Sequence, residues 1–261
     1  MATRAVILAG GRGSRLAPYT TVLPKPLMPI GDRAILDVVV RQLHDHGFDR
    51  ITMAVGYLGH LIEAVFSDGS RHDVAIEYHR EDAPLGTAGP FATIDGLADD
   101  HFLAMNGDIL TCLDYRRFFE SHVQSGNAMT VATHARTVVS NYGVLHLDGS
   151  DGPVRRVSGY EEKPEIPYDV SMGIYAIAPA ALEHIPGGRF DIPDLVLALL
   201  AAGLPVGAFP FDGYWLDIGR HDDYEQALTD YEQILPRLLP GSYTEPPTQG
   251  VAAAAPRRVD L

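Results

Sequence analysis

The first half of the chain alternates β-type and helix-type segments, and few architectures accept such a rhythm. Thr3–Leu8 is a β-branched, apolar run that stops at glycines. Ala34–His46 carries helical periodicity and ends at Gly47; Arg50–Val55 reads as a strand and Leu58–Phe66 as a helix. Val74–His79 then reads as a strand, Thr87–Leu97 as a helix, His101–Met105 as a strand and Asp114–Gln124 as an amphipathic helix. Apolar runs of strand length between helical periods predict right-handed βαβ units and a mainly parallel sheet. After Gly126 the rhythm changes to short strands around "AMTVATHA", "GVLHLD", "VRRVSGYEEK" and "VSMGIYAIAP", with helices returning at Ile192–Ala202 and Asp222–Leu235. The expectation is one domain over residues 1–235, with halves of about 1–125 and 126–235. The Pro- and Ala-rich segment 236–261 is expected to be a disordered tail. No internal repeat is visible.

Composition removes several classes. The 261 residues carry a formal charge of -14, so a basic nucleic-acid or membrane-surface face is disfavoured, and any phosphate site must be a local basic island. A single cysteine, Cys112, excludes a disulfide framework within the chain and a cysteine zinc site. The N-terminus reads straight into a strand without a signal-peptide pattern, and no apolar run reaches the roughly 18 residues of a membrane span, so a cytoplasmic protein is expected.

A basic island follows the first strand. "ILAGGRGSRLAPYTTVLPKPL" (Ile7–Leu27) places Gly10, Gly11 and Gly13 in a turn, with Arg12, Arg15 and Lys25 in or just after it. Glycines bring backbone N–H groups close to a ligand, and arginine forks match phosphate oxygens. "GRGSRL" lacks the Gly-Lys-Ser/Thr end of a Walker loop. The second strand ends "MAVGYLG", without the acid of a dinucleotide fingerprint. A polyphosphate is left, held under a segment that Pro18, Pro24, Pro26 and Pro29 would make a semi-rigid flap. Asp108, after the strand in "FLAMNGDIL", suits magnesium, or else a turn. Asp217 in "GYWLDIG" is an acid in an apolar segment and needs a partner.

"LAGGRGSRLAPYTTVLPKPLMPIG" closely resembles the signature of the sugar-1-phosphate nucleotidyltransferases, which is G-G-x-G-[ST]-R-L with a later Lys-Pro. The resemblance covers roughly Arg4 to Leu235 and implies a Rossmann-like (GT-A-like) α/β fold, a mixed, mostly parallel sheet flanked by helices. It implies a nucleotide site of Leu8, Ala9, Gly10, Gly11, Gly13, Ser14, Arg15, Pro84, Gly86 and Thr87, with Thr87 capping the helix after it. It assigns Arg15 to the leaving pyrophosphate, Lys25 to the reacting phosphate, and Asp108 and Asp217 to Mg2+. On the sugar side it implies Tyr142, Gly143, Glu162, Lys163, Ser171 and Gly173, with Lys163 on the sugar phosphate; Ser171 stands where the family often has asparagine. A related glycosyltransferase would show Asp-x-Asp, whereas Asp108 is followed by Ile109 and Leu110.

The Leu-Gly-Thr-Ala-Gly form at 85–89 looks most like mannose-1-phosphate guanylyltransferases rather than the Gln-rich thymidylyltransferases. The resemblance therefore implies a Mg2+-dependent enzyme that passes a nucleotidyl group from GTP to a sugar 1-phosphate. UTP, dTTP or ATP are the alternative donors, and a non-catalytic nucleotide-sugar-binding subunit is the remoter reading. The sequence names neither the sugar nor the oligomeric state, and it leaves a homo-oligomer open.

Overall fold

The structure, a computed structural model, describes residues 3–81, 83–149 and 152–240. The strands are β1 (Arg4–Ala9), β2 (Pro29–Ile30), β3 (Arg33–Ala34), β4 (Arg50–Val55), β5 (Ala75–Arg80), β6 (Phe102–Asn106), β7 (Ile109–Thr111), β8 (Met129–Val139), β9 (Val144–Leu147), β10 (Val157–Glu161), β11 (Glu165–Ile177), β12 (Val206–Pro210) and β13 (Trp215–Asp217). The helices are α1 (Ile35–Asp45), α2 (Gly59–Phe66), α3 (Tyr115–Ser125), α4 (Ile192–Ala201) and α5 (His221–Leu238). The main sheet has the order β12-β8-β11-β6-β1-β4-β5. Only β11 runs antiparallel to its neighbours, so the sheet is mixed and mostly parallel, as expected.

The central strands are apolar throughout because both faces are covered. In β1, Ala5, Ile7 and Ala9 face Leu36, Val39, Ile62 and Phe118. Val6 faces the other way, toward Phe91, Ile192 and Leu195. A third cluster seats α5 on the molecule through Leu16, Ile30, Leu110, Ile218, Tyr231 and Leu238.

Two expectations change. Thr87–Leu97 is not an α-helix but a pair of 3-10 turns, Gly89–Ala92 and Leu97–Asp99. Gly89, Pro90 and Gly96 weaken a helix there, and the N–H groups of Ala88 and Gly89 are both taken by the carbonyl of Phe190. The last helix also passes the expected boundary at 235, running through Pro236 to Leu238, with Leu238 and Leu239 buried. Gln42 Nε2 donates to the Leu238 carbonyl at 3.0 Å and holds that end. Residues 241–261, where a disordered tail is expected, lie outside the described residues. The edge strand β12 has no counterpart in the sequence reading; its run is short and ends at Pro210, a residue tolerated at a sheet edge.

One buried group ties the fold to pH. His122 on α3 is fully buried, with Nδ1 against Thr130 Oγ1 at 2.8 Å and Nε2 against His101 Nδ1 at 2.9 Å. Burial, with His101 adding to it, lowers its pKa from 6.5 to about 4. The unfolded chain therefore binds the proton more readily, and stability that is complete above pH 6.5 is lost as pH falls toward 4. The full loss is on the order of 3 kcal/mol. A His122→Gln variant should show a flatter stability profile across that window in denaturant titrations; an unchanged slope would remove His122 as its source.

Candidate active site

The strand order reverses at β1: β4 and β5 lie on one side and β6 on the other. In open α/β sheets the crevice beyond the carboxyl ends of such strands takes the ligand. A cavity of about 350 Å³ opens there. Its wall includes Leu8, Ala9, Gly10, Gly11, Gly13, Arg15, Pro84, Gly86 and Thr87, the expected nucleotide set apart from Ser14. Ser14 is exposed, at the start of a 3-10 turn. Lys25 and Asp108 also line the cavity, as do Glu81, the first residue of the segment Glu81–Phe91 that resembles the family's base-recognition segment, and Pro26, Ala54 and Asn106, which the sequence reading did not assign. Asn106 had a signal, being the polar residue that ends an apolar strand at the ligand edge.

The expected flap is anchored rather than free-standing. Leu16, Thr20 and Pro24–Met28 are buried, and the exposed parts are Gly11, Arg12, Ser14, Arg15, Ala17–Tyr19, Thr21, Val22 and Pro29. Thr20 Oγ1 donates to the Gly13 carbonyl at 2.8 Å, Tyr57 OH donates to the Thr21 carbonyl at 2.9 Å, and Arg12 lies over the Tyr57 ring at 5.8 Å. On the other side His221 Nε2 meets the Ala17 carbonyl at 3.0 Å. The loop is thus strapped to the turn after β4 and to the start of α5.

Charge converges below it. Lys25 Nζ forms a salt bridge with Asp108 Oδ2 and lies 3.9 Å from Asp217 Oδ1. The two aspartates meet because β13 pairs with β7, setting Asp217 opposite Ile109, while the Ile218 N–H donates to the Asp108 carbonyl at 3.2 Å. Arg15 closes the group: a Cβ placed on Gly219 would lie 3.6 Å from its Nη1. Burial raises the Asp217 pKa and Asp108 raises it further, against the lowering effect of Lys25 and Arg15. Asp108 Oδ1 is buried without a hydrogen-bond partner among the described residues. An orphaned carboxylate oxygen beside a second carboxylate that resists ionisation is a donor set short of positive charge. It fits a hard divalent cation that takes one or two carboxylates and keeps its waters.

The segment 85–89 is clamped from the far half of the chain. Phe190 N donates to the Leu85 carbonyl at 2.8 Å, and Thr87 N donates to Asp191 Oδ1 at 2.9 Å. Thr87 does cap a helix, but not the one expected: its Oγ1 accepts from the N–H of Ile192, the first residue of α4, at 2.8 Å. Gly86 sits at φ +79°, and a Cβ there would lie 2.5 Å from the Phe190 carbonyl oxygen. Gly86→Ala combines left-handed strain with a backbone clash. It is expected to raise the KM for the nucleotide about tenfold with little change in kcat, if this segment only binds. Equal loss in both would mean that the segment takes part in the chemical step.

The sugar-side residues are not all gathered at the cavity. Ser171 and Gly173 lie at an irregularity of β11 against β8, next to the cavity wall. A Cβ on Gly173 would lie 2.7 Å from Asn106 Nδ2, so the amide and the glycine touch. Ser171 Oγ donates to Tyr175 OH at 3.1 Å. Tyr142, Gly143, Glu162 and Lys163 instead belong to the exposed arm formed around β9, β10 and the start of β11, and none of them lines the cavity. Tyr160 OH donates to Glu162, and Gly143 packs under the same ring. Lys163 makes no ion pair among the described residues and holds φ at +46°, a conformation that costs a side-chain-bearing residue energy.

Comparisons with known proteins bear on the family and the fold. A family model described as "Nucleotidyl transferase" matches residues 4–234. The chain is 34% identical over 245 residues to a UTP--glucose-1-phosphate uridylyltransferase of Synechocystis, covering 86% of this chain and 62% of the relative. It is 30% identical over 243 residues to the mannose-1-phosphate guanylyltransferase catalytic subunit beta of Danio rerio, covering 91% and 67%. The chain therefore spans about two thirds of the length of these relatives. Among solved structures it resembles HddC from Yersinia pseudotuberculosis complexed with GMP-PN. The TM-score is 0.67 at 26% identity, over 88% of this chain and 99% of that one.

Proposed function

The chain belongs to the nucleotidyl transferase family, and we propose that it transfers a nucleotidyl group from a nucleoside triphosphate, GTP by preference, to a sugar 1-phosphate. An oxygen of the sugar phosphate attacks the α-phosphorus, the bond from that phosphorus to the bridging oxygen breaks, and pyrophosphate leaves with the charge. The attacking oxygen is already anionic near neutral pH, so no general base is needed, and positioning with charge neutralisation does the work. The observation that carries this reading is Lys25 and Asp108 lining a cavity beside a glycine-arginine loop, with Asp217 brought within 3.9 Å of Lys25 at its edge.

In this scheme Arg15 takes charge on the departing pyrophosphate, Lys25 neutralises the reacting phosphate, and Lys163 draws the sugar phosphate in from the arm. Asp108 and Asp217 would hold Mg2+, which when bound supplies charge neutralisation at the α-phosphate. The guanylyltransferase relative and the GMP-PN complex support GTP. The uridylyltransferase relative, of higher identity, supports UTP as the second reading. Pyrophosphate release with GTP, UTP, dTTP and ATP, each against mannose and glucose 1-phosphates, tests both. Turnover with one base and one sugar is expected. Binding of GTP without release from any pairing would overturn the enzymatic reading in favour of a nucleotide-binding subunit.

A further inference from the structure

The phosphate loop is held just past Arg15 by a side chain that the reaction above does not use. His221 is the first residue of α5, and its Nε2 lies 3.0 Å from the carbonyl of Ala17. A carbonyl only accepts, so His221 carries a proton on Nε2 and donates it. The same helix start grips the segment after the loop as well. Tyr224 OH donates to the Pro29 carbonyl at 2.6 Å. The Tyr19 ring lies 5.8 Å from the ring of His221 and 6.4 Å from that of Tyr224.

The segment that leads into His221 is the one that brings Asp217 to the site. Ile218 and Gly219, between the two, are buried. The Gly219 N–H lies 2.8 Å from the Asp217 carbonyl and 3.1 Å from Asp223 Oδ2, and the Arg220 N–H donates to the same Asp223 oxygen at 2.8 Å. The turn from β13 into α5 is thus braced from within, and the Ile218 N–H ties it to the Asp108 carbonyl. Arg15 has no comparable hold of its own: it is exposed and makes no ion pair among the described residues, although its guanidinium stands near Gly219. An exposed arginine keeps most of its rotamer freedom. Where such a side chain can reach is set by the backbone that carries it.

We propose that His221 is a positioning residue, its bond to the Ala17 carbonyl setting the phosphate loop, and with it the Arg15 guanidinium, against the segment that carries Asp217. This rests on the nucleotide reading of the cavity given above. A triphosphate in that cavity has to meet Arg15 at its outer phosphates while its α-phosphate lies by Asp108 and Asp217. The arginine and Asp217 come from opposite ends of the chain, and the His221–Ala17 bond joins those ends close to both residues. His221 touches no substrate in this scheme. It acts through the place where Arg15 stands, and a charge held in advance at the right place is worth far more than one that must be gathered there.

The test is equilibrium binding of GTP against GMP, and of UTP against UMP, to the full chain by calorimetry with MgCl2 present. A monophosphate lacks the outer phosphates that Arg15 would meet, so the ratio of triphosphate to monophosphate affinity reports on that contact alone. His221→Ala is expected to shrink the ratio by about five- to tenfold, the worth of one hydrogen bond. His221→Gln, whose amide N–H can reach the same carbonyl, should keep it within about threefold of the wild type. Arg15→Ala should shrink it further, and adding His221→Ala to that variant should change little, because two residues that act through one contact are not additive. An unchanged ratio in His221→Ala, or full additivity with Arg15→Ala, would overturn the proposal. Equal weakening of triphosphate and monophosphate, with a lower melting temperature, would make His221 a support of the fold only. A wild-type chain that binds none of the four nucleotides would sink the nucleotide reading itself.

Discussion

Asp108→Asn is expected to lower pyrophosphate release by about 10²- to 10³-fold while leaving the affinity for the nucleotide within a few-fold. Asparagine keeps the shape of the side chain and removes its charge. Asp108 Oδ1, which has no hydrogen-bond partner among the described residues, then no longer offers a full negative charge to a divalent cation. Lys25 loses its nearer counter-ion and is left with Asp217 at 3.9 Å. Asp217, relieved of Asp108, should titrate lower, since Asp108 is the second cause of its raised pKa after burial. The rate should also need more Mg2+ to saturate. A variant with wild-type turnover and wild-type Mg2+ dependence would exclude Asp108 from the cation site.

Lys25→Met should cost both stability and rate. Lys25 is 8% exposed and is held against two carboxylates. Methionine fills the space and leaves Asp108 and Asp217 facing each other with only Arg15 to offset their charge. The expected loss is about 2 kcal/mol, less than an enclosed pair would lose because Asp217 is 49% exposed. The Asp217 pKa should rise further, because Lys25 is one of the two groups that lower it. Added Mg2+ should restore stability more strongly in this variant than in the wild type, because a ligand that binds only the folded chain stabilises it by mass action. Thermal unfolding with and without MgCl2 gives the answer. Equal melting temperatures for variant and wild type in the absence of Mg2+ would mean that Lys25 does not hold the two acids together. Turnover should fall by about 10²-fold or more, as for other groups that neutralise developing charge.

Much of the architecture was legible along the chain. β4 runs from Arg50 to Val55 as its apolar pattern predicts, and α1, α2, α3 and α4 fall within a residue or so of their periodic segments. Such features depend on neighbours within a turn or a strand, where side-chain spacing speaks directly. Thr87–Leu97 misled because its apolar spacing is helical while the backbone donors of Ala88 and Gly89, at its start, are claimed by residue 190. β12 was silent because an edge strand closed by proline carries little pattern.

The sequence alone determined the glycine loop and its arginines, the βαβ frame that puts that loop at the carboxyl edge of the sheet, and the set of charged residues available for chemistry. Only the tertiary structure decided which of them meet. Asp217 joins Asp108 through the β13–β7 pairing, Thr87 closes α4, and Glu81 joins the cavity wall while Glu162 and Lys163 stay on the arm. The physical reason is that strand pairing and helix docking between distant segments are set by burial of whole faces. Local spacing records which face a residue occupies and carries no information about what lies across from it.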